Sequence, residues 1–212
     1  MKKSWMVVLL IGLMVLPAAA FWGWGEESLK VTADTWIYAF RPTRNYGDGK
    51  GWADITDPTK SVTVPKMFLG FGGSDIKIVL LKFDTAKLKK DKAVKSAYVN
   101  IYNDYAGSAA ALKVDAKMIT SPWEEMKVTY RTAPRTASEV LSTVTLQGSI
   151  SDAKSGKWYK FDVTKAVKAW QKGTPNYGIM LIPQGEAGVD FDLVAREYKA
   201  MAQYAPSLKI SY

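Results

Sequence analysis

The sequence contains neither cysteine nor histidine among its 212 residues. Without them this chain alone cannot form a disulfide, a zinc site of the usual kind, a Ser-His-Asp triad or a cysteine nucleophile. Most hydrolase mechanisms are therefore excluded, and burial of apolar surface must supply the stability of the fold. The chain also lacks a phosphate-binding loop, since the glycine-rich stretch at 70–73 is not predicted to open a helix, so nothing supports nucleotide binding.

Two pairs of carboxylates are the remaining candidates for catalysis. Glu124 and Glu125 are adjacent in a predicted loop, and Asp190 and Asp192 share one face of a predicted strand. Glycoside hydrolysis needs two acids about 5 to 10 Å apart on either side of a cleft. A small, helix-poor domain offers no obvious cleft. We therefore interpret both pairs as structural and predict that the chain is not an enzyme.

The first 20 residues have the three regions of a secretory signal peptide. Two lysines precede an apolar run at 5–16, and Ala18 and Ala20 supply the small residues of a cleavage site. The run is shorter than the ~20 residues that span a bilayer, which disfavours the alternative of a membrane anchor. We predict that residues 1–20 are removed and that the mature chain begins at Phe21. It would then be secreted, extracellular or at the cell surface, without further membrane association.

The mature chain is strongly basic and of single-domain size. Removal of Lys2 and Lys3 lowers the formal net charge from +9 by two, to +7. A positive field favours anionic partners, and among these we predict an acidic polysaccharide or cell-surface glycan rather than nucleic acid. The alternative that the lysines serve only solubility stays open, because many of them stand singly on predicted polar faces.

The stretch at 157–183 has the clearest element boundaries in the chain, and it predicts a strand, a helix and a second strand in succession. Trp158 and Lys160 alternate with Tyr159 and Phe161, which is the period of a half-buried strand. Residues 177–182 form a continuous apolar run, typical of a central strand buried on both faces.

A helix is predicted between these strands, at 163–172. Its apolar stripe has helical spacing and consists of Val163, Ala166, Val167 and Trp170. Asp162 or Thr164 can accept a hydrogen bond from a free N–H of the first turn. Gly173 and Pro175 end the helix.

The rest of the chain shows strands separated by turn residues. An aromatic and glycine-rich stretch at 21–28 has no periodicity and predicts a leader arm, and residues 29–212 form the predicted domain. Roughly ten short strands and one helix predict an all-β, antiparallel β-sandwich with jelly-roll-like connections. The strands outside 157–183 are predicted at 28–40, 66–71, 76–84, 96–103, 111–120, 189–194 and 208–212.

Several short motifs occur along the chain in the order that is typical of one family. They are Ala33-Asp34-Thr35, Asn45-Tyr46-Gly47, Leu80 to Asp84, Ser96 to Tyr102, Trp123-Glu124, Val128-Thr129-Tyr130, Pro134, Phe161-Asp162-Val163-Thr164, Asn176-Tyr177-Gly178, Arg196-Glu197 and Pro206 to Tyr212. In these motifs the chain resembles the DNRLRE domain family, which are secreted all-β modules. They are also described as carbohydrate-binding modules of alginate-lyase type and as related to disaggregatase domains. The resemblance implies a non-catalytic module that binds polysaccharide.

The ligand site is predicted around the long irregular stretch at 41–64. Aromatic rings can stack on sugar C–H faces, and cations can pair with carboxylate or sulfate groups. The resemblance adds Lys82, at a family position that often carries arginine, and the late Arg196-Glu197 element. The predicted ligand-binding residues are Trp36, Tyr38, Arg41, Arg44, Tyr46, Lys50, Trp52, Lys82 and Arg196. The alternative that Trp36 and Tyr38 belong to the core stays open.

No cofactor is required by this interpretation, although calcium is possible. Asp34, Asp84 and Asp162 lie near the ends of predicted elements and offer oxygen ligands, without a spacing that defines a site. The alternative function is a structural or adhesive subunit of the cell surface or extracellular matrix that self-assembles, with the leader arm as the contact.

Overall fold

The structure is a computed structural model that describes residues 26–48, 65–73, 75–106, 108–148, 156–185 and 188–212. The predicted signal peptide, residues 21–25 of the predicted arm, and the predicted ligand residues Lys50 and Trp52 lie outside these ranges.

Ten strands and one short α-helix form the described part of the chain, and every pair of neighbouring strands is antiparallel. The prediction of an all-β sandwich with one short helix is thereby confirmed. The elements are β1 Glu26–Tyr38, β2 Lys66–Gly72, β3 Asp75–Phe83, β4 Ser96–Ala106, β5 Ala111–Met118, β6 Ser142–Gln147, β7 Lys157–Asp162, α1 Thr164–Gln171, β8 Ile179–Gln184, β9 Val189–Val194 and β10 Ser207–Ser211, with a kinked 3₁₀ segment at Lys199–Tyr204.

Strand β1 is long enough to take part in both layers. Its residues 26–30 pair with β10 and its residues 31–38 pair with β3, with a register shift between Val31 and Ala33. Residues 26–28, which the sequence assigned to the leader arm, are therefore part of the sheet. Their alternating pattern is too short to be distinguished from a loop without the partner strand.

We call β7, β4, β10 and residues 26–30 of β1 the front sheet, in that order of pairing. The back sheet consists of residues 31–38 of β1 followed by β3, β8, β5 and β6. Strands β2 and β9 connect the two, because β2 pairs with β3 and β9, and β9 also pairs with β4. The main core contains alternate residues of both sheets, such as Val99 and Phe161 in front and Val114 and Leu181 behind.

The helix α1 closes one side of this core. Ala166, Val167 and Trp170 are buried, as the apolar stripe predicts. Asp162 accepts a hydrogen bond from the backbone N–H of Thr164 at 2.9 Å, which fixes the entry of the chain into the helix. Within the described ranges, no helix has the length and hydropathy needed to cross a bilayer.

A second, smaller core lies beneath the irregular stretch at 119–136. Ile37 of β1 packs there with Leu80, Val128 and other apolar residues. Trp123 anchors the stretch by donating its indole N–H to the carbonyl of Tyr177 at 2.7 Å. The end of β1 is consequently covered on both faces.

Candidate functional site

The three aromatic residues of the predicted ligand platform are buried. Trp36, Tyr38 and Tyr46 expose 1%, 4% and 3% of their surfaces. The rings of Trp36 and Tyr46 stack with centroids 3.8 Å apart. They cannot offer a face to a sugar in this arrangement, so their assignment to the ligand site is corrected. The physical reason is that apolar residues cover this end of β1 from both sides.

The cations predicted beside these rings lie in different surroundings. The guanidinium of Arg41 lies 5.9 Å from the ring of the exposed Phe40, and that of Arg44 lies 5.1 Å from the ring of Tyr46. Lys82 is half-buried on β3, opposite Ala33 of β1. The described part of the predicted site therefore has two loop arginines and one exposed phenylalanine.

A different surface brings an exposed tryptophan and several lysines together, and it is the outer face of the front sheet. On β7 the side chains of Tyr159 and Phe161 point into the core, so Trp158 and Lys160 point outward. Trp158 is 40% exposed. This arrangement follows directly from the period-2 alternation of the strand.

Strand register extends this face across all four strands of the front sheet. Residues directly opposite each other in antiparallel strands lie on the same face. Lys160 lies opposite Asn100, Asn100 opposite Ser207, and Ser207 opposite Lys30. One continuous row therefore runs from β7 to β1 with a lysine at each end.

Two tyrosines support the exposed tryptophan. Tyr102 lies opposite Trp158 on β4, and their ring centroids are 5.3 Å apart in an edge-to-face arrangement. Tyr204 of the 3₁₀ segment stacks on Tyr102 with centroids 4.1 Å apart. These contacts restrict the rotamers of Trp158, so its exposed face is held in place.

Two adjoining depressions of about 510 and 340 Å³ lie on this face, and both are lined by Trp158, Ser207 and Lys209. The larger also reaches Lys30, and the smaller reaches Lys160. Among the described residues, neither Lys30 nor Lys160 has a carboxylate within 4.0 Å, whereas Lys209 lies 3.6 Å from Glu26. We call this surface the front groove.

Arg196, a predicted ligand residue, lines one end of the front groove, but its guanidinium already forms ion pairs with three carboxylates of the protein. Its Nε lies 3.0 Å from Asp34 and 2.8 Å from Glu197, and its Nη2 lies 2.5 Å from Glu125. The backbone N–H of Arg196 donates to Asp34 at 2.9 Å, and that of Asp34 donates to Glu125 at 2.7 Å. The guanidinium is thus engaged by carboxylates of the protein itself, and its role as a contact for an anionic ligand stays a prediction.

The cluster carries more negative than positive charge, and this shifts its titration. The pKa of Asp34 is raised from 3.8 to about 7, first by burial and next by the nearby carboxylate of Glu197, against the lowering effect of the backbone N–H and the charge of Arg196. Burial also raises the pKa of Glu197. The arrangement therefore favours retention of one proton on the Asp34–Glu197 pair.

The three residues predicted to hold calcium do not share a site. Carboxylate oxygens of Asp34, Glu125 and Glu197 all lie within 4.8 Å of one another, and no other such group of three occurs among the described residues. Arg196 already supplies positive charge to this group. Asp84 and Asp162 instead accept hydrogen bonds from nearby backbone N–H groups. Calcium binding by the chain stays a prediction.

The carboxylate pairs considered for catalysis are held by cations. Glu124 lies 2.7 Å from Lys127, and Asp190 lies 2.8 Å from the buried Lys77. Asp192 lies 3.3 Å from Lys66. These ion pairs agree with the interpretation of both pairs as structural.

Apart from Arg196, sequence reasoning missed the residues of the front groove, although part of the signal was present. The alternation that predicted β7 also places Trp158 on the same polar face as Lys160, and a tryptophan on a polar face is the available clue. Tyr204 gave no such signal, because the 3₁₀ segment has no apolar periodicity.

Comparisons with known proteins relate the chain to carbohydrate-binding modules. Residues 26–212 match the family described as carbohydrate-binding module family 96. The chain is 29% identical over 164 residues to the protein named tRNA nuclease WapA of Bacillus subtilis (strain 168), and equally to tRNA3(Ser)-specific nuclease WapA of Bacillus spizizenii. Each match covers 76% of this chain and only 6% of the curated relative.

The family match confirms the prediction of a carbohydrate-binding module. The finer assignments to the DNRLRE family and to the alginate-lyase type stay predictions.

Proposed function

This chain belongs to carbohydrate-binding module family 96, and from that premise we propose that it is a secreted, non-catalytic module that binds an acidic polysaccharide in the front groove. The observation that carries the proposal is the exposed ring of Trp158 beside Lys160 and Lys209 in one depression.

The chemistry of the groove suits a sugar that carries negative charge. The flat face of an indole packs against sugar C–H groups, and this contact does not depend on salt. Lysine ammonium groups attract carboxylate or sulfate groups, and at an exposed surface this attraction is screened over about 10 Å at 0.1 M salt. Lys30 and Lys160 are suited to this role, because no carboxylate of the described chain neutralises them.

Secretion and the absence of catalysis are part of the proposal. Secretion is supported by the signal-peptide pattern of residues 1–20. The nuclease activity in the names of the relatives is not part of it, since the match covers 6% of each relative.

The contribution of the tryptophan can be tested with one variant and a matched control. Trp158→Ala removes the ring from the groove, whereas Tyr105→Ala removes a ring that is also exposed but that does not line the groove. We expect Trp158→Ala to weaken binding to alginate or a sulfated glycan about tenfold or more, at every salt concentration, which corresponds to about 1.4 kcal/mol. Tyr105→Ala should change the dissociation constant by no more than about twofold relative to the wild type.

The charge preference is tested with Lys160→Ala, and Lys113→Ala on the back sheet is the matched control. Lys160→Ala should weaken binding mainly at low salt, because exposed charge interactions are screened. Isothermal titration with alginate, a sulfated glycan and neutral cellulose measures both effects, with melting temperatures as a check on folding. Binding by Trp158→Ala equal to that of the wild type would exclude the groove as the site, and a preference for cellulose would exclude the acidic ligand.

A further inference from the structure

The front groove runs across the strands rather than along them. Its lining residues come in turn from β7, β4, β10 and β1, and the row from Lys160 to Lys30 crosses the same four strands. The 3₁₀ segment and the turn after it form one wall, through Ala202, Gln203 and Pro206. A linear ligand that follows the groove must therefore cross the strands.

The width of the front sheet sets the length of ligand that the groove can contact. Neighbouring strands lie about 4.8 Å apart, so the backbones of Lys160 and Lys30 are separated by three spacings, or about 14 Å. A sugar unit in a linear polysaccharide is about as long as one strand spacing. Four strands therefore offer contacts to about four sugar units.

The two ends of the groove differ in what lies beyond them. Within the described ranges, β7 pairs only with β4, and residues 26–30 of β1 pair only with β10. No strand of the described chain continues the front sheet beyond Lys160. Beyond Lys30 lies the end of β3, since the backbone N–H of Asp84 donates to the carbonyl of Lys30 at 3.3 Å. A polysaccharide can thus extend past Lys160 at an open strand edge, and a chain that extends past Lys30 continues over the end of β3.

The positive charges are placed at the two ends of the row. Lys160 lies at the β7 end near Trp158, and Lys30 lies at the β1 end. Arg196 also lines the β1 end, but Asp34, Glu125 and Glu197 occupy its guanidinium. Lys30 rather than Arg196 is therefore the cation available to an anionic group there.

From this placement we propose that the module binds an internal run of about four sugar units of a linear, acidic polysaccharide, laid across the front sheet from Lys160 to Lys30. The inference rests on the proposed function, because it concerns the same groove. It adds the length, the direction and the internal character of the bound segment, and it assigns Lys30 to the far subsite.

The test is a length series of alginate oligosaccharides, from disaccharide to hexasaccharide, titrated into the exported protein. Affinity should rise at least tenfold from the disaccharide to the tetrasaccharide and change little beyond it. Chemical reduction of the reducing end should leave the affinity of the hexasaccharide unchanged, because an internal segment is bound.

The two end lysines separate the subsites. A disaccharide should occupy the end with Trp158 and Lys160, so Lys30→Ala should leave its affinity unchanged and should weaken the hexasaccharide about two- to fivefold at low salt, as expected for an exposed ion pair. Lys160→Ala should weaken both ligands. Lys113→Ala is again the matched control.

The outcomes distinguish the inference from the proposed function. Absence of binding to any oligosaccharide or polymer would overturn the proposed function. Equal affinity for the disaccharide and hexasaccharide, dependence on the reducing end, or equal loss for both ligands in Lys30→Ala would overturn the inference and leave the acidic-glycan function intact.

Discussion

Arg196 shows how one side chain can join distant parts of this fold. It contacts Asp34 on β1, Glu125 in the stretch at 119–136 and the adjacent Glu197. The separations of 162 and 71 residues from Asp34 and Glu125 make these contacts long-range. Because Asp34 is buried, its charge is tolerated only with these donors, and the cluster contributes to stability in a pH-dependent way.

The sign of that pH dependence follows from the raised pKa of Asp34. Between its ordinary value of 3.8 and about 7, the folded state holds a proton that the unfolded state has released. The cluster's contribution to the free energy of unfolding is therefore full below about pH 4, falls as the pH rises through this window and levels above about 7.

Glu197→Gln is predicted to make this fall smaller. The substitution removes one of the carboxylates that raise the pKa of Asp34, and it removes the raised pKa of Glu197 itself. Urea unfolding at several values between pH 4.5 and pH 8 measures the effect. Glu124→Gln, which lies outside the cluster, is the control and should follow the wild type. Parallel curves for Glu197→Gln and the wild type would contradict the prediction.

The two Asn-Tyr-Gly motifs are another feature decided at the level of residues. In each, the asparagine side chain accepts a hydrogen bond from the glycine N–H two residues later, at 3.1 Å for Asn45 and 2.9 Å for Asn176. A Cβ atom at Gly47 or Gly178 would lie 2.1 or 2.2 Å from a carbonyl oxygen of another segment. This close approach explains why glycine is required at both positions.

Among the elements, α1 depends on tertiary contacts, because an isolated helix of eight residues is not stable in water. Trp170 exposes 6% of its surface and packs in the main core. We predict that Trp170→Ala lowers the free energy of unfolding by about 3 to 5 kcal/mol, the range for truncating a large buried aromatic residue. Lys168→Ala, on the exposed face, should change it by less than about 0.5 kcal/mol. Thermal and urea unfolding measure both, and an unchanged melting temperature for Trp170→Ala would show that the face is not buried.

The edge strands β6 and β7 affect whether two copies of the chain can associate through strand pairing. Each has six residues, and β7 carries Lys157 and Lys160. Short, lysine-bearing edges resist pairing with another chain.

For the whole molecule we predict that residues 21–212 are monomeric in solution. Besides the short edge strands, a net charge of +7, from +9 less Lys2 and Lys3, opposes self-association at low salt. Size-exclusion chromatography with light scattering, at micromolar and higher concentrations, measures the mass. Growth of the mass with concentration would favour the alternative of a self-assembling structural subunit.

The sequence by itself determined the local features of the molecule, namely the position of individual strands and of the helix. Alternation predicted β7, and the stripe of apolar residues at helical spacing predicted α1. The apolar run at 177–182 predicted a central strand, and β8 indeed pairs with β3 on one side and β5 on the other. These features depend on residues close together in the chain, so periodicity is sufficient to predict them.

The tertiary structure alone decided which of those faces is covered and which is available. Trp36 and Trp158 both lie on alternating strands, yet the first is buried because its side chain packs in the main core, and the second is exposed on the outer face of the front sheet. Lys160 and Lys30 are 130 residues apart and share one row only through the pairing of four strands. Periodicity tells which residues share a face, but only the packing of distant segments determines what lies against it.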